Sequence, residues 1–470
     1  MKLTLRRIQY PMIDWVLAHD RCALWAGMGS GKTSAMLYVI SVWKMLSVGP
    51  TLVVAPKRVA GETWPEQQKI FDEFDDIRLV TLTGIAAERE AALQRDADIY
   101  CVNPENLRWL AENLPTGFKF EAVIVDESTR LKSFRLRKGS KRAKILFTMT
   151  RSAVKFVELT GTPGGNGLID LWGQLYFLDY GARLGKTFQA FTGRWFTSIN
   201  CGYFNKVIPQ PSAFVEIPER VADICRTIRT EDYFSIEKTI ENTITVKLPS
   251  RVLSLYKTLE REMYVQIETS GVRAVNAAVV TVKCLQICSG ALYQEHGDGD
   301  GEPRPWFELH QEKIDALESI IEEASGEPIL VAYHFRSDVV RIMARFKNAV
   351  HFTNKTGILD AWNAGDIPIL LAHPGSVGHG LNMQRGGRII VFFSLWWNLE
   401  EHEQIIARIG PLRQHQAGLD RSVYVYNIVA ENTIDERVLL AHQNKMSANE
   451  ALKMATGGSS RDADTDADIS

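Results

Sequence analysis

The chain has 470 residues, which at about 150 per domain allows roughly three domains and leaves room for more than one hydrophobic core. Apolar residues make up 45% and charged residues 23%, values that exclude a fibrous repeat or a wholly disordered chain. The 54 basic residues nearly balance the 56 acidic ones, so any grip on a polyanion must come from local clustering.

The opening stretch, MKLTLRRIQYPMIDW, lacks the long apolar core and small-residue cleavage site of a signal peptide, and no run of about 18 apolar residues offers a membrane span. A cytoplasmic protein is the expectation. From residue 20 to 165 the β-rich runs CALWAG, TLVVAP, RLVTLTG, DIYCVN, AVIVDE and KFVELTG alternate with helix-like segments, which predicts a parallel sheet flanked by helices. Residues 165–310 read differently. Amphipathic stretches such as SRVLSLYKTLEREMYVQIE and NAAVVTVKCLQICSG predict a mostly helical insertion at about 165–240 and a helical connector over 249–310. The segment EHGDGDGEPRP, 295–305, reads as an exposed loop, and its Asp298 and Asp300 lack the spacing of a calcium loop.

A second α/β series follows, with HQEKIDALESIIEEA helical and ILVAYH, PILLAHP, RIIVFFS and SVYVYNIVA strand-like. The expected architecture is therefore α/β: a first lobe over 1–248, a second over 311–456, and a disordered acidic tail over 457–470. Six scattered cysteines show no zinc-ligand spacing and read as reduced core thiols.

The strongest chemical signal is Ala26-Gly27-Met28-Gly29-Ser30-Gly31-Lys32-Thr33, placed after a strand and opening an apolar helix. It matches a P-loop with Ala for the first Gly: Gly27, Gly29, Ser30 and Gly31 let backbone N–H groups turn in on phosphates, Lys32 reaches the β/γ oxygens, and Thr33 ligates Mg²⁺. ATP with Mg²⁺ is the implied cofactor. AVIVDEST, 122–129, is a strand that ends in two carboxylates; Asp126 suits the metal and Glu127 suits the attacking water. Residues 130–144 hold eight basic residues and no acidic ones, a flexible loop able to grip a phosphate backbone through Arg135, Arg137 and Lys138. The bland alternative is a solubilising charge run.

Together these residues resemble the superfamily 2 helicases, and the Asp-Glu-Ser-Thr box resembles the Swi/Snf-type translocase branch, most like its compact bacterial and phage members. The resemblance implies two RecA-like P-loop lobes. In family order, Gln9 in LRRIQY is similar to the adenine-side motif, and APKRVAGETWPEQ, with Lys57 and Arg58, to the first strand-contact motif. VNPENL, with Asn103, resembles the next, and LTGTP, with Thr160 and Thr162 as coupling residues, the third. AYHFRSD, SVGHGLNMQ (with Ser376 and His379 toward nucleic acid and Gly380 in coupling) and QIIARIGPLRQHQ resemble the fourth to sixth.

Gln404 and Arg408 lie four apart, on one helix face suited to a nucleotide. Where the family usually places a second arginine, this chain has Pro411; Arg413 reads as that arginine displaced by two residues, and Gly410-Pro411 should end the preceding helix. Trp396 and Trp397 read as packing rather than base stacking, and His373, His379 and His402 as polar contacts. The implied activity is that of a DNA translocase or helicase driven by ATP, acting on duplex DNA, with target choice left to a targeting or nuclease partner. An RNA-stimulated helicase and a slow nucleotide-gated binding switch are the alternatives.

Overall fold

The computed structural model describes residues 2–165, 167–200, 205–234, 239–270, 275–294, 305–353, 355, 357–377, 381–419 and 421–456. The chain divides into two compact units. One takes Met1–Ser198, Val207–Ser235 and the stretch from Lys445; the other takes Ile199–Lys206 and Ile236–Asn444.

Short apolar runs that are buried on both faces form parallel strands once helices cover them. In the first unit all six runs anticipated from the sequence do so, as β1 (Arg21–Ala26), β2 (Thr51–Val54), β3 (Leu79–Leu82), β4 (Ile99–Val102), β5 (Ala122–Asp126) and β6 (Lys155–Thr160). Successive residues of β1 serve opposite faces: Ala23 and Trp25 join one core, Cys22 and Leu24 another. The segment expected to be a mostly helical insertion is more varied. It contains a two-stranded sheet, β7 (Phe196–Asn200) with β8 (Asn205–Pro209), and an edge strand, β9 (Cys225–Ile228), beside β1. The sheet order is β3-β4-β2-β5-β6-β1-β9, parallel throughout.

The second unit begins earlier than the expected boundary at 248. Its sheet starts with β10 (Ile240–Val246), which pairs parallel with a strand nearly two hundred residues later. A small antiparallel hairpin follows, β11 (Ala291–Tyr293) with β12 (Trp306–Glu308), and then β13 (Ile329–Ala332), β14 (Ala349–His351), β15 (Ile369–Ala372), β16 (Ile389–Phe392) and β17 (Tyr424–Ala430). The order is β10-β17-β16-β13-β15-β14, again all parallel.

The expected connector over 249–310 is part of this unit. Val252 and Tyr256 of the helix Ser250–Ser270, and Cys284, Ile287 and Cys288 of the helix Val275–Ser289, share one core with β13 and β16. Apolar helix faces need a partner, and the nearby sheet supplies it. The described cysteines are free and buried, and burial pushes the Cys284 thiol up to about 11. A buried ion pair, Lys313 Nζ to Asp435 Oδ2 at 2.6 Å, joins the helix Glu312–Glu323 to the start of the helix Ile434–Thr456. The loop residues Asp298 and Asp300 and the tail 457–470 lie outside the described residues.

Candidate nucleotide site and nucleic-acid interface

The C-terminal ends of parallel strands are where α/β sheets place chemistry, and the glycine loop leaves β1 at that end. Gly29 and Gly31 have φ of +78° and +89°, a region that side chains rarely adopt. Gly31 also caps the helix Lys32–Met45, and a Cβ there would lie 2.8 Å from Gln9 Nε2. Ser30 Oγ donates to Gly27 O at 2.7 Å, and Lys32 Nζ donates to Ala26 O at 2.7 Å and Gly27 O at 3.1 Å. Thr33 follows, half-buried, in the first turn of the helix.

Gln9 is buried against this loop. Its Nε2 donates to Gly31 O at 3.0 Å and Ser34 Oγ at 2.8 Å, while its Oε1 accepts from Arg6 N at 2.8 Å. Arg6, which sequence reasoning missed, donates from Nη1 to Gly29 O at 3.3 Å. The only sequence signal for it is its place three residues before Gln9. Gln9 and Arg6 thus hold the loop's shape through its carbonyls at Gly29 and Gly31.

Asp126 ends β5 and is 7% exposed. Burial pushes its carboxyl upward, while the Lys32 charge and a hydrogen bond from Trp64 Nε1 at 3.4 Å pull the other way; burial prevails. Glu127 sits at φ +62°, ψ +60°, a left-handed conformation that costs a non-glycine residue on the order of 1 kcal/mol. Strain of this kind persists only where the surroundings impose it. The backbone breaks out of the sheet at this carboxylate into the turn Ser128–Leu131. In the third motif, Thr160 Oγ1 accepts from Thr162 N at 3.1 Å, and a Cβ on Gly161 would lie 3.5 Å from Gly27 Cα, so the two loops abut.

The expected nucleic-acid contacts separate into two groups. Lys57, Arg137, Lys138 and Ser376 are exposed, and half-buried Arg58 pairs with Glu62 at 2.8 Å. Asn103 and Arg135 face the protein. Asn103 is 4% exposed and spends its amide on Glu105 Oε2 at 2.7 Å and Asn106 Nδ2 at 2.8 Å. The Arg135 guanidinium lies 3.4 Å from the Phe188 ring centroid and donates to Lys132 O at 2.9 Å and Phe134 O at 2.6 Å. The basic segment is not the free loop its charge suggested. Phe134 is buried among aromatics, and Ser140 N donates to Ser133 O at 3.0 Å to close it. His379 and Gly380 lie outside the described residues.

In the second unit the helix Leu399–Ile409 carries Gln404 and Arg408, both buried, with Gln404 Nε2 3.4 Å from Glu400 Oε1. The helix ends at Ile409 before an extended Gly410, as the sequence anticipated, and Pro411 then opens a further helix, Pro411–Gln416, which the sequence reading did not foresee. This helix brings Arg413 Nη1 to within 3.2 Å of Asn382 Oδ1, on the segment of the fifth motif. Gln414, 1% exposed, anchors it through Ile409 O and Gly387 O, each at 2.9 Å. Trp396 packs, 3% exposed and stacked on His334 with the rings 10° from parallel, whereas Trp397 is 38% exposed. Among the described residues no group of three or more His, Cys, Asp or Glu is placed to hold a metal ion, and no helix is long and apolar enough to cross a membrane.

Comparison with known proteins bears on this arrangement. Residues 12–288 match the SNF2-related domain. Protein p41 of Acyrthosiphon pisum secondary endosymbiont phage 1 is 43% identical over 455 residues, which covers 96% of this chain and 98% of that protein. An uncharacterized ATP-dependent helicase of Mycoplasma genitalium is 24% identical over 467 residues; 94% of this chain matches, but it spans 41% of that relative's length. The SWI2/SNF2 ATPase core of Sulfolobus solfataricus, solved in complex with dsDNA, aligns over 97% of this chain and 94% of its own, at 20% identity and a TM-score of 0.45. On the strength of the domain match across more than half its length, and of a phage relative similar nearly end to end, the chain belongs to the SNF2-related family.

Proposed function

We propose that the chain is a nucleic-acid-stimulated ATPase that couples ATP hydrolysis to movement along DNA, double-stranded DNA above all. One observation carries the reading: at the C-terminal edge of the first sheet the glycine loop, its lysine and a buried carboxylate converge, with the Lys32 charge acting on Asp126. In this reading the N–H groups of residues 27–31 cradle the phosphates, and Lys32 exchanges its two carbonyl partners for the β/γ oxygens. Thr33 and Asp126 would hold Mg²⁺. They suit it, because burial drives the Asp126 carboxyl toward its neutral form and a divalent cation supplies the charge that keeps it ionised.

Glu127 orients the attacking water and takes its proton. Arg408 and Arg413 supply positive charge as the γ-phosphoryl group leaves, with Gln404 beside Arg408. Thr160, Thr162 and Gly380 couple hydrolysis to the grip on nucleic acid. Lys57, Arg58, Arg137, Lys138, Ser376 and His379 are the proposed contacts to the phosphate backbone.

Membership of the SNF2-related family supports DNA as the track, and a targeting or nuclease partner would choose the site of action. The test is ATPase activity with duplex DNA, single-stranded DNA and RNA, together with displacement of a third strand from a triplex. Stimulation by duplex DNA with ATP-dependent displacement is the expected result. Greatest stimulation by RNA would make it an RNA helicase, and slow turnover without displacement would make it a switch.

A further inference from the structure

The helix Leu171–Asp179 is buried along nearly its whole length, yet it carries an amide, Gln174, at 1% exposure. A buried amide in an apolar helix must find partners, and both sets lie in functional loops. Gln174 Oε1 accepts from Ser128 Oγ at 3.1 Å, directly after the strained Glu127. Its Nε2 donates to Pro163 O at 2.7 Å, in the Thr-Gly-Thr-Pro turn, and to Asp170 O at 3.2 Å.

The same helix braces the basic loop. A Cβ on Gly173 would lie 2.8 Å from Leu131 O and 2.5 Å from Lys132 O, so glycine lets the helix lie directly on the backbone where that loop begins. Trp172 then stacks on Phe134 with ring centroids 6.3 Å apart, and the Arg135 guanidinium lies 5.7 Å from the Trp172 ring. Three consecutive residues, Trp172, Gly173 and Gln174, therefore touch the basic loop, the carboxylate turn and the third motif. Packed interiors transmit small displacements because they have no slack to absorb them.

We infer that Gln174 is a positioning residue: it transmits engagement of the basic loop by DNA to the Glu127 turn through Ser128, and to the third motif through Pro163. This rests on the DNA-stimulated ATPase reading given above. The amide meets both demands with separate atoms, its oxygen accepting from the Ser128 hydroxyl while its nitrogen donates to the Pro163 carbonyl.

The experiment measures ATP hydrolysis with and without duplex DNA, DNA affinity and thermal unfolding for the full chain, for Gln174→Met and Ser128→Ala, and for the double variant. Gln174→Met is expected to lower the DNA-stimulated kcat about tenfold, with the KM for ATP and the DNA affinity changed by less than about twofold. Because Gln174 acts through Ser128, the double variant should lose no more than the worse single one. Three results would overturn the inference: a stimulated kcat within twofold of the parent, losses that multiply, or equal falls with and without DNA. If Gln174→Met does not fold, the smaller Ser128→Ala change decides, with stimulation within twofold of the parent counting against the inference. Absence of DNA stimulation in the parent chain would instead overturn the functional reading itself.

Discussion

The two units place their candidate chemistry on different kinds of element. In the first, Lys32, Asp126 and Glu127 lie at or just beyond strand ends, where glycines at positive φ and a strained glutamate set the geometry within a few residues. In the second, Gln404, Arg408 and Arg413 ride on two helices broken at Gly410-Pro411, and their placement depends on what those helices pack against. Chemistry on a strand-end turn is encoded by near neighbours. Chemistry on a helix needs the whole unit.

The largest effect expected is for Lys32→Ala, which should abolish nucleotide binding or turnover, measured as ATPase activity and nucleotide affinity in the folded variant. Arg413→Ala and Arg408→Ala should each cut DNA-stimulated hydrolysis by about 10³ or more, with ATP and DNA binding largely retained. If only one variant shows that loss, a single arginine serves the γ-phosphate and the other is structural. Glu127→Gln should keep ATP binding and lower turnover by about 10² or more, and single-turnover kinetics would show whether the chemical step slows.

A smaller effect tests the basic segment. Replacing the exposed Arg137 and Lys138 with Ala should weaken DNA affinity and flatten its salt dependence by up to about 0.9 per lost contact. Arg135→Ala should leave that slope alone and lower thermal stability, because its guanidinium is spent on Phe188 and two carbonyls.

Acid should separate the units. Burial holds His310 and His334 down at about 4 and His402 at about 3, all in the second unit. His310 is also tied through both nitrogens, to Ile287 O and Glu312 N. A depressed pKa contributes stability that is present above the unfolded value near 6.5 and lost as pH falls toward the folded one. Between pH 7 and 5.5 that is roughly 1 kcal/mol per histidine. Asp338, pushed up to about 6, offsets part of it, since it is favoured as pH falls. The first unit's buried Glu158, raised well above its usual range, has the same sign as Asp338. Hydrogen exchange, corrected for intrinsic rate, should therefore show protection falling over 310–440 before it falls in β1 to β6.

Much of this molecule was legible in the sequence. Ten strands expected from short apolar runs are present, and the glycine loop and Asp-Glu box occupy strand ends, because both depend on backbone turns that a few adjacent residues dictate. Less local features were not. β10 reads as the tail of the first lobe until β17 arrives to pair with it. Asn103 and Arg135 look like surface contacts in a linear reading, but Glu105, Asn106 and the Phe188 ring claim them. Arg6 and Gln174 carry no motif of their own. The sequence by itself determined which backbone turns could cradle a phosphate or end in a carboxylate. Only the tertiary structure decided which charges face solvent and which side chains join one loop to another, since a side chain's partner is set by whatever distant element packs beside it.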